Sequence, residues 1–209
     1  MFTNEKNGII KDVRERVVLK KIFTIILLVT STICCLFLIF LNVCFEKVLV
    51  NGESMYPTLK DQEIGLYLKK QFIVGGIKRN DIVIFDHENN NNEDKLFIKR
   101  VIGLPNEKIE IREDGSIYID EEKIMQKYLD LEQNKNTYQI INSERMEMIL
   151  KEDEYFVLGD NRGNSYDSRF FGPIKKDEII GKLSLIYGHQ EENHNSGKIT
   201  EHFFPIKLF

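Results

Sequence analysis

The sequence predicts a mostly β protein, with a single N-terminal transmembrane helix followed by a β-rich, barrel-like domain. Three observations predict it. Residues 22–45 form one apolar run without a charge. Beyond that run, apolar and polar residues alternate in short stretches separated by turn residues, the period of half-buried strands. Nothing beyond residue 45 keeps a clean helical period for long.

The apolar run, Ile22 to Phe45, is mostly Ile, Leu, Val and Phe. As a helix it is about 36 Å long at roughly 1.5 Å per residue, enough to cross a hydrocarbon core of about 30 Å with some tilt. A buried core helix rarely goes so far without a charge. A cleaved secretory signal has a shorter apolar region ending in small residues, and here the run is followed by Glu46-Lys47-Val48. A lipoprotein signal ending at Cys44 needs small residues where Asn42 and Val43 stand. An uncleaved anchor fits best. Residues 1–21 hold six Lys/Arg against three Asp/Glu, a net charge of +3. The positive-inside rule then makes 1–21 a cytoplasmic segment, 22–45 the anchor and 46–209 an outer domain at the cell membrane.

The whole chain carries −4, which leaves −7 for residues 46–209. An acidic outer domain argues against nucleic-acid partners, which need a basic face. All three cysteines, Cys34, Cys35 and Cys44, lie in the anchor, so the outer domain has no disulfide framework. Three of the four histidines, His189, His194 and His202, are irregularly spaced in the tail. No metal-site signature forms, and no metal or cofactor is expected.

Strands are expected at 63–68, 81–85 and 95–102. A hairpin is expected from 108–111 to 116–119, turned by Asp114-Gly115. Further strands fall at 155–158 and within 178–187. The best helix candidate in this domain is Ser143–Leu150. Glu88 to Asp94 reads as a polar loop, and Gly188 to Ser196 as a polar tail.

Three stretches carry candidate chemistry. The first is Gly52-Glu53-Ser54-Met55-Tyr56-Pro57-Thr58-Leu59, shortly after the anchor. Its Gly and Pro suggest a fixed backbone, but a serine hydroxyl is a weak nucleophile without a base, and alone this is a turn containing a serine. The second is Lys95 to Pro105. Strand alternation places Phe97, Lys99 and Val101 on one face. Two readings of Lys99 stand. Apolar neighbours strip its hydration and favour the neutral amine, making it a base, or its long stem snorkels to water. The third is Gly159 to Arg169, either a polar surface loop or a buried network in which Asp167 pairs with Arg169 and Ser165 orients an amine.

Taken together, these stretches and Lys78-Arg79-Asn80-Asp81-Ile82-Val83-Ile84-Phe85 resemble the bacterial type I signal peptidases in content, order and rough spacing, from about residue 20 to 187. The resemblance implies a Ser-Lys dyad, with Ser54 as nucleophile and Lys99 as general base. It implies that Ser165 orients that lysine, that Asp167 and Arg169 form a structural ion pair, and that Arg100 supports the site. Met55 and Pro57 would shape the substrate wall. Gly52 stands where some members carry an oxyanion-hole hydroxyl, leaving backbone N–H groups for that task. Asn80 and Asn106 stand where the family usually has glycine, and asparagine tolerates the left-handed turn.

The implied activity is removal of signal peptides from exported preproteins after small residues, with the preprotein and the lipid bilayer as partners. The alternative is a decayed, membrane-anchored β-domain that only binds exported polypeptides. The small, cysteine-free outer domain resembles Gram-positive members.

Overall fold

The computed structural model describes residues 2–87, 96–129, 146–193 and 198–209. It has two units, Met1–Cys44 and Phe45–Phe209. The first is a single helix, α1 (Phe2–Cys44), of 43 residues. Its apolar part, Val18–Cys44, has 27 residues. Large apolar side chains such as Phe23, Leu28 and Leu36 are exposed along it, as on a helix whose solvent is lipid. Its polar side chains bond back to their own helix. Thr24 Oγ1 donates to the Lys20 carbonyl (2.9 Å), Thr32 Oγ1 to Leu28 (2.8 Å) and Asn42 Nδ2 to Leu38 (3.1 Å). This matters in hydrocarbon, where an unsatisfied polar group costs several kcal/mol.

The second unit is built from two antiparallel sheets. The larger contains β1 (Phe45–Leu49), β2 (Glu63–Lys69), β3 (Ile82–Asp86), β4 (Leu96–Gly103), β9 (Glu154–Leu158), β10 (Ile174–Lys175), β11 (Ile179–Asn193) and β12 (Lys198–Leu208). Its order is β1-β2-β11-β3-β4-β9-β10, with β12 added beside the outer part of β11. The smaller sheet has the order β7-β6-β5-β8, from β5 (Lys108–Ile111), β6 (Ile117–Ile119), β7 (Glu122–Lys123) and β8 (Met146–Ile149). The strands foreseen from alternation are present.

Two expectations change. The stretch Ser143–Leu150 holds no helix among its described residues: Met146–Ile149 is β8, paired with β5 from Lys108↔Ile149 to Ile111↔Met146. The polar tail from Gly188 is not simply a tail either. β11 runs on to Asn193, and β12 returns along it in the register His189↔His202. The loop from Glu88 to Asp94 lies outside the described residues.

The large sheet is open at two edges that matter. Among the described residues β1 pairs only with β2, from Phe45↔Leu68 to Leu49↔Ile64. On β4, β3 pairs with Leu96 to Arg100, whereas β9 joins only from Arg100 onward. Among the described residues the stretch Leu96–Lys99 thus has one unpaired edge. Both open edges line the same cavity, so the sheet approaches barrel-like closure without completing it.

Three apolar clusters hold the unit together. One joins Val48, Val50, Met55, Leu59, Tyr67, Ile82, Ile84, Ile98, Leu183 and Ile186. A second packs Val83, Phe85, Phe97, Val101, Val157 and Ile179 on the opposite face of β3 and β4. The third joins the two sheets through Ile102, Ile109, Ile111, Ile117, Phe156 and Leu158. The sheets meet closely at Gly103, where a Cβ would lie 2.2 Å from Ile109 Cδ1.

Candidate active site

Ser54 sits on the turn that leaves β1 for β2. The turn is closed by Tyr56 N donating to the Glu53 carbonyl (3.0 Å) and Leu59 N to the Met55 carbonyl (2.9 Å). Met55 and Leu59 are fully buried and plug the turn into the first apolar cluster. Buried Met55 and Leu59 thus fix the loop, while Ser54 itself stays half-buried.

Lys99 is in the middle of β4, opposite Val83 of β3. Phe97 and Val101, two residues to either side, belong to the second apolar cluster. Only 4% of Lys99 is exposed, so it does not snorkel to water. Its Nζ is hydrogen-bonded to Ser54 Oγ at 2.7 Å and to the Ile98 carbonyl at 3.2 Å. It also lies 5.6 Å from the centre of the Phe97 ring. Strand and turn thereby join residues separated by 45 positions.

The stretch 159–169 holds a buried network of Asp160, Arg162, Ser165, Asp167 and Arg169, while Gly163, Asn164 and Tyr166 between them are exposed. Asp167 takes two hydrogen bonds from Arg169, both 2.8 Å, and one from Gly159 N at 3.0 Å. It also caps the short helix α2 (Ser168–Phe171). Ser168 Oγ accepts from Val157 N at 3.0 Å, tying this helix to β9. Ser165 is buried beside Gly159, and its Oγ makes no hydrogen bond with any described residue, Lys99 included.

Arg100 turns away from Lys99 to the other face of β4. It grips Asp160 through Nε (2.9 Å) and Nη2 (2.6 Å) and donates from Nη1 to the Asn80 carbonyl (3.0 Å). Its Nη2 also reaches Thr58 Oγ1, in the serine loop, at 3.4 Å, and Tyr128 covers the guanidinium at 4.1 Å.

Sequence reasoning singled out none of Gly159, Asp160, Asn161 or Arg162, although all four lie in the stretch it marked. Asn161 N donates to the Ser54 carbonyl (3.0 Å), and its Nδ2 to the Glu53 carbonyl (3.1 Å). Arg162 is fully buried, with Nε on the Gly159 carbonyl at 2.9 Å and Nη2 on Gln126. Burial pulls its guanidinium down to about 10. Burial likewise pushes the nearby Tyr128 phenol up to about 12. The usable signal was a polar run directly after the fully buried strand β9.

A cavity of about 530 Å³ opens beside the serine. The stretch 46–51 lines one side and 96–99 the other, with Ser54, Met55, Tyr67 and Tyr166 between. Met55 thus forms part of the wall, whereas Pro57 is exposed and outside the lining. Burial, followed by a hydrogen bond to Glu46, pushes the Tyr67 phenol up to about 12. Gly52 has φ +88° and donates its N–H to Asp61 Oδ1 at 2.6 Å. Among the described residues the Ser54 amide is engaged by no hydrogen bond. No group of three His, Cys, Asp or Glu side chains among them forms a metal site.

A serine hydroxyl bonded to a buried lysine amine, beside an open cleft, is the constellation of a serine–lysine hydrolase. The chain belongs to the family described as signal peptidase, peptidase S26, whose model matches residues 21–188. It is 35% identical over 170 residues to signal peptidase I U of Bacillus subtilis, covering 80% of this chain and 89% of that protein. Signal peptidase IB of Staphylococcus aureus (strain COL) is 35% identical over 157 residues, covering 70% of this chain and 80% of that protein. The crystal structure of a signal peptidase I from Enterococcus faecalis V583 aligns with 30% identity and a TM-score of 0.44, covering 54% of this chain and 100% of that one. With its apolar N-terminal helix, the chain is a membrane-anchored member of the family.

Proposed function

We propose that this protein is a signal peptidase I that cleaves signal peptides from exported preproteins with Ser54 as nucleophile and Lys99 as general base. The carrying observation is the 2.7 Å separation of a buried Lys99 amine from the Ser54 hydroxyl. Burial disfavours an ammonium, and an uncharged amine can take the hydroxyl proton.

In the proposed reaction that proton moves to Lys99 while Ser54 Oγ bonds to the scissile carbonyl carbon. The Ser54 N–H supports the oxyanion. The carbon–nitrogen bond then breaks, and the Lys99 proton leaves with the amine of the mature protein. Lys99 next takes a proton from water, whose oxygen bonds to the acyl carbon; the acyl–Oγ bond breaks to release the signal peptide, and the Lys99 proton returns to Ser54 Oγ.

The substrate lies extended between the open edges of β1 and β4, where its backbone supplies the hydrogen bonds both edges lack. The apolar lining from Val48, Val50, Met55 and Ile98 suits small side chains near the cleavage site. The basic N-terminal segment keeps residues 1–21 in the cytoplasm and the catalytic unit on the outer face. The first β residue directly follows the helix, so the catalytic unit is tethered at the bilayer where signal peptides reside.

The test is cleavage of a preprotein by the purified full-length protein in detergent. Wild type is expected to cut after a small residue, with a rate that rises from neutral toward alkaline pH. Ser54→Ala and Lys99→Met are expected to lose activity with the unfolding midpoint retained. Lys99→Met with normal turnover would rule out the assigned base.

A further inference from the structure

The chain carries one residue whose contacts place it behind the serine amide rather than beside the serine hydroxyl. Asn161 touches two consecutive carbonyls around the nucleophile: its own N–H meets Ser54 O at 3.0 Å, and its Nδ2 meets Glu53 O at 3.1 Å. The second contact has a directional consequence. The Glu53 carbonyl and the Ser54 N–H belong to one planar peptide group, and this group is trans. In a trans group the C=O and N–H point in opposite directions. Whatever holds the Glu53 oxygen therefore sets where the Ser54 N–H points.

We infer that Asn161 is a positioning residue that aims the Ser54 N–H at the oxyanion formed on the scissile carbonyl. This rests on the proposed hydrolysis by Ser54. Three observations make Asn161 matter here. Gly52 supplies no side-chain donor, and its own N–H is bound to Asp61. The Ser54 N–H is engaged by no other described residue. Gly159 lets the two loops approach: a Cβ there would sit 2.5 Å from Ser54 O. Asn161 thus grips the nucleophile loop from the 159–169 network, fixing the amide before charge develops, as an oxyanion donor requires. Tyr56 N also bonds the Glu53 carbonyl, at 3.0 Å, so the rival account is a turn that is self-sufficient without Asn161.

Asn161→Ala separates the two accounts. It keeps the backbone contact to Ser54 O and removes only the side-chain donor. The full-length variant and wild type would be assayed in detergent on a peptide ester carrying a small residue before the scissile bond and on its thionoester, where sulfur replaces the carbonyl oxygen. An aimed donor favours the oxygen substrate. The expected result is a fall in kcat of about 10- to 100-fold, somewhat less than outright loss of an oxyanion donor, with KM and the pH profile unchanged. The wild-type preference for ester over thionoester should shrink in parallel. That preference is a ratio within one sample, so partial misfolding cannot change it. An unchanged ratio or an unchanged kcat overturns the inference. A wild type that cleaves neither ester nor preprotein overturns the proposed hydrolysis instead.

Discussion

Arg100 and Asp160 face each other edge to edge inside the protein, joined by hydrogen bonds of 2.9 and 2.6 Å. The pair connects three parts of the site. Arg100 follows the base on β4, Asp160 precedes Asn161 behind the nucleophile, and the same guanidinium reaches Thr58 in the serine loop. Asp160 is fully buried. Removing one member of such a pair leaves the other charge desolvated and alone, which costs about 3–5 kcal/mol. Asp160→Ala is therefore expected to lower stability by that order in denaturant unfolding. A loss below about 1 kcal/mol, the range of exposed pairs, would show that the pair contributes little.

Gly159 is expected to be intolerant of even one methyl group. A Cβ there would lie 2.1 Å from Ser165 Oγ and 2.5 Å from the Ser54 carbonyl. Ser165 Oγ can rotate away, but the Ser165 Cβ, 2.6 Å off, and the Ser54 backbone oxygen can yield only if the backbone moves. Gly159→Ala should displace Ser54 from Lys99, and a displacement of about 1 Å can cost about 100-fold in rate. The check is kcat on a preprotein alongside the unfolding midpoint. Wild-type turnover in this variant would mean that the loop contact does not control the dyad.

How much of this was legible in the sequence depended on the range over which each signal acts. Strands β2, β3, β4 and the β5–β6 hairpin were readable because alternation and turn residues are local. β8 was not, because Glu144, Met146, Glu147 and Met148 are good helix formers in isolation. Pairing with β5 overrides that preference, and β5 is remote in sequence. Ser54 and Lys99 could be paired through the family resemblance, whereas their individual segments supported two readings each. The network behind them was less visible. Asp160, Asn161 and Arg162 have the composition of a solvated loop, and nothing nearby in sequence marks their partners. Those partners, Arg100, Glu53 and Gln126, arrive from separate segments.

Glu154 provides a pH-dependent expectation. The Lys151 side chain, then its backbone N–H, hold this carboxyl below the usual carboxylate value. The unfolded chain therefore binds a proton more readily than the native one. The resulting stabilisation is present above the unfolded-state pKa and disappears as pH falls through the native one. Glu154→Gln should thus be less stable than wild type at neutral pH, and the gap should close in acid. Unfolding midpoints of the two proteins from pH 7 to pH 3 provide the measurement. A gap that stays constant across this range would assign the effect to shape rather than charge.

Asn80 and Asn106 test how tightly a turn constrains its residue. Both stand where the family resemblance leads one to expect glycine, and both are left-handed, with φ +71° and +68°. The turn at Asn80 is held from both sides: its N–H donates to the Val101 carbonyl at 2.8 Å, and its carbonyl accepts from Arg100 at 3.0 Å. The backbone therefore cannot relax without disturbing the strand that carries Lys99. Left-handed geometry costs an ordinary L-residue roughly 1–2 kcal/mol, and glycine and asparagine escape most of that. Asn80→Gly should leave stability within about 0.5 kcal/mol of wild type. Asn80→Ala should cost on the order of 1 kcal/mol, since its methyl group meets the strain without a polar side chain to offset it. Denaturant melts of the two variants supply the comparison. If alanine proves as good as glycine, the turn imposes no conformational requirement, and asparagine at this position needs a different explanation.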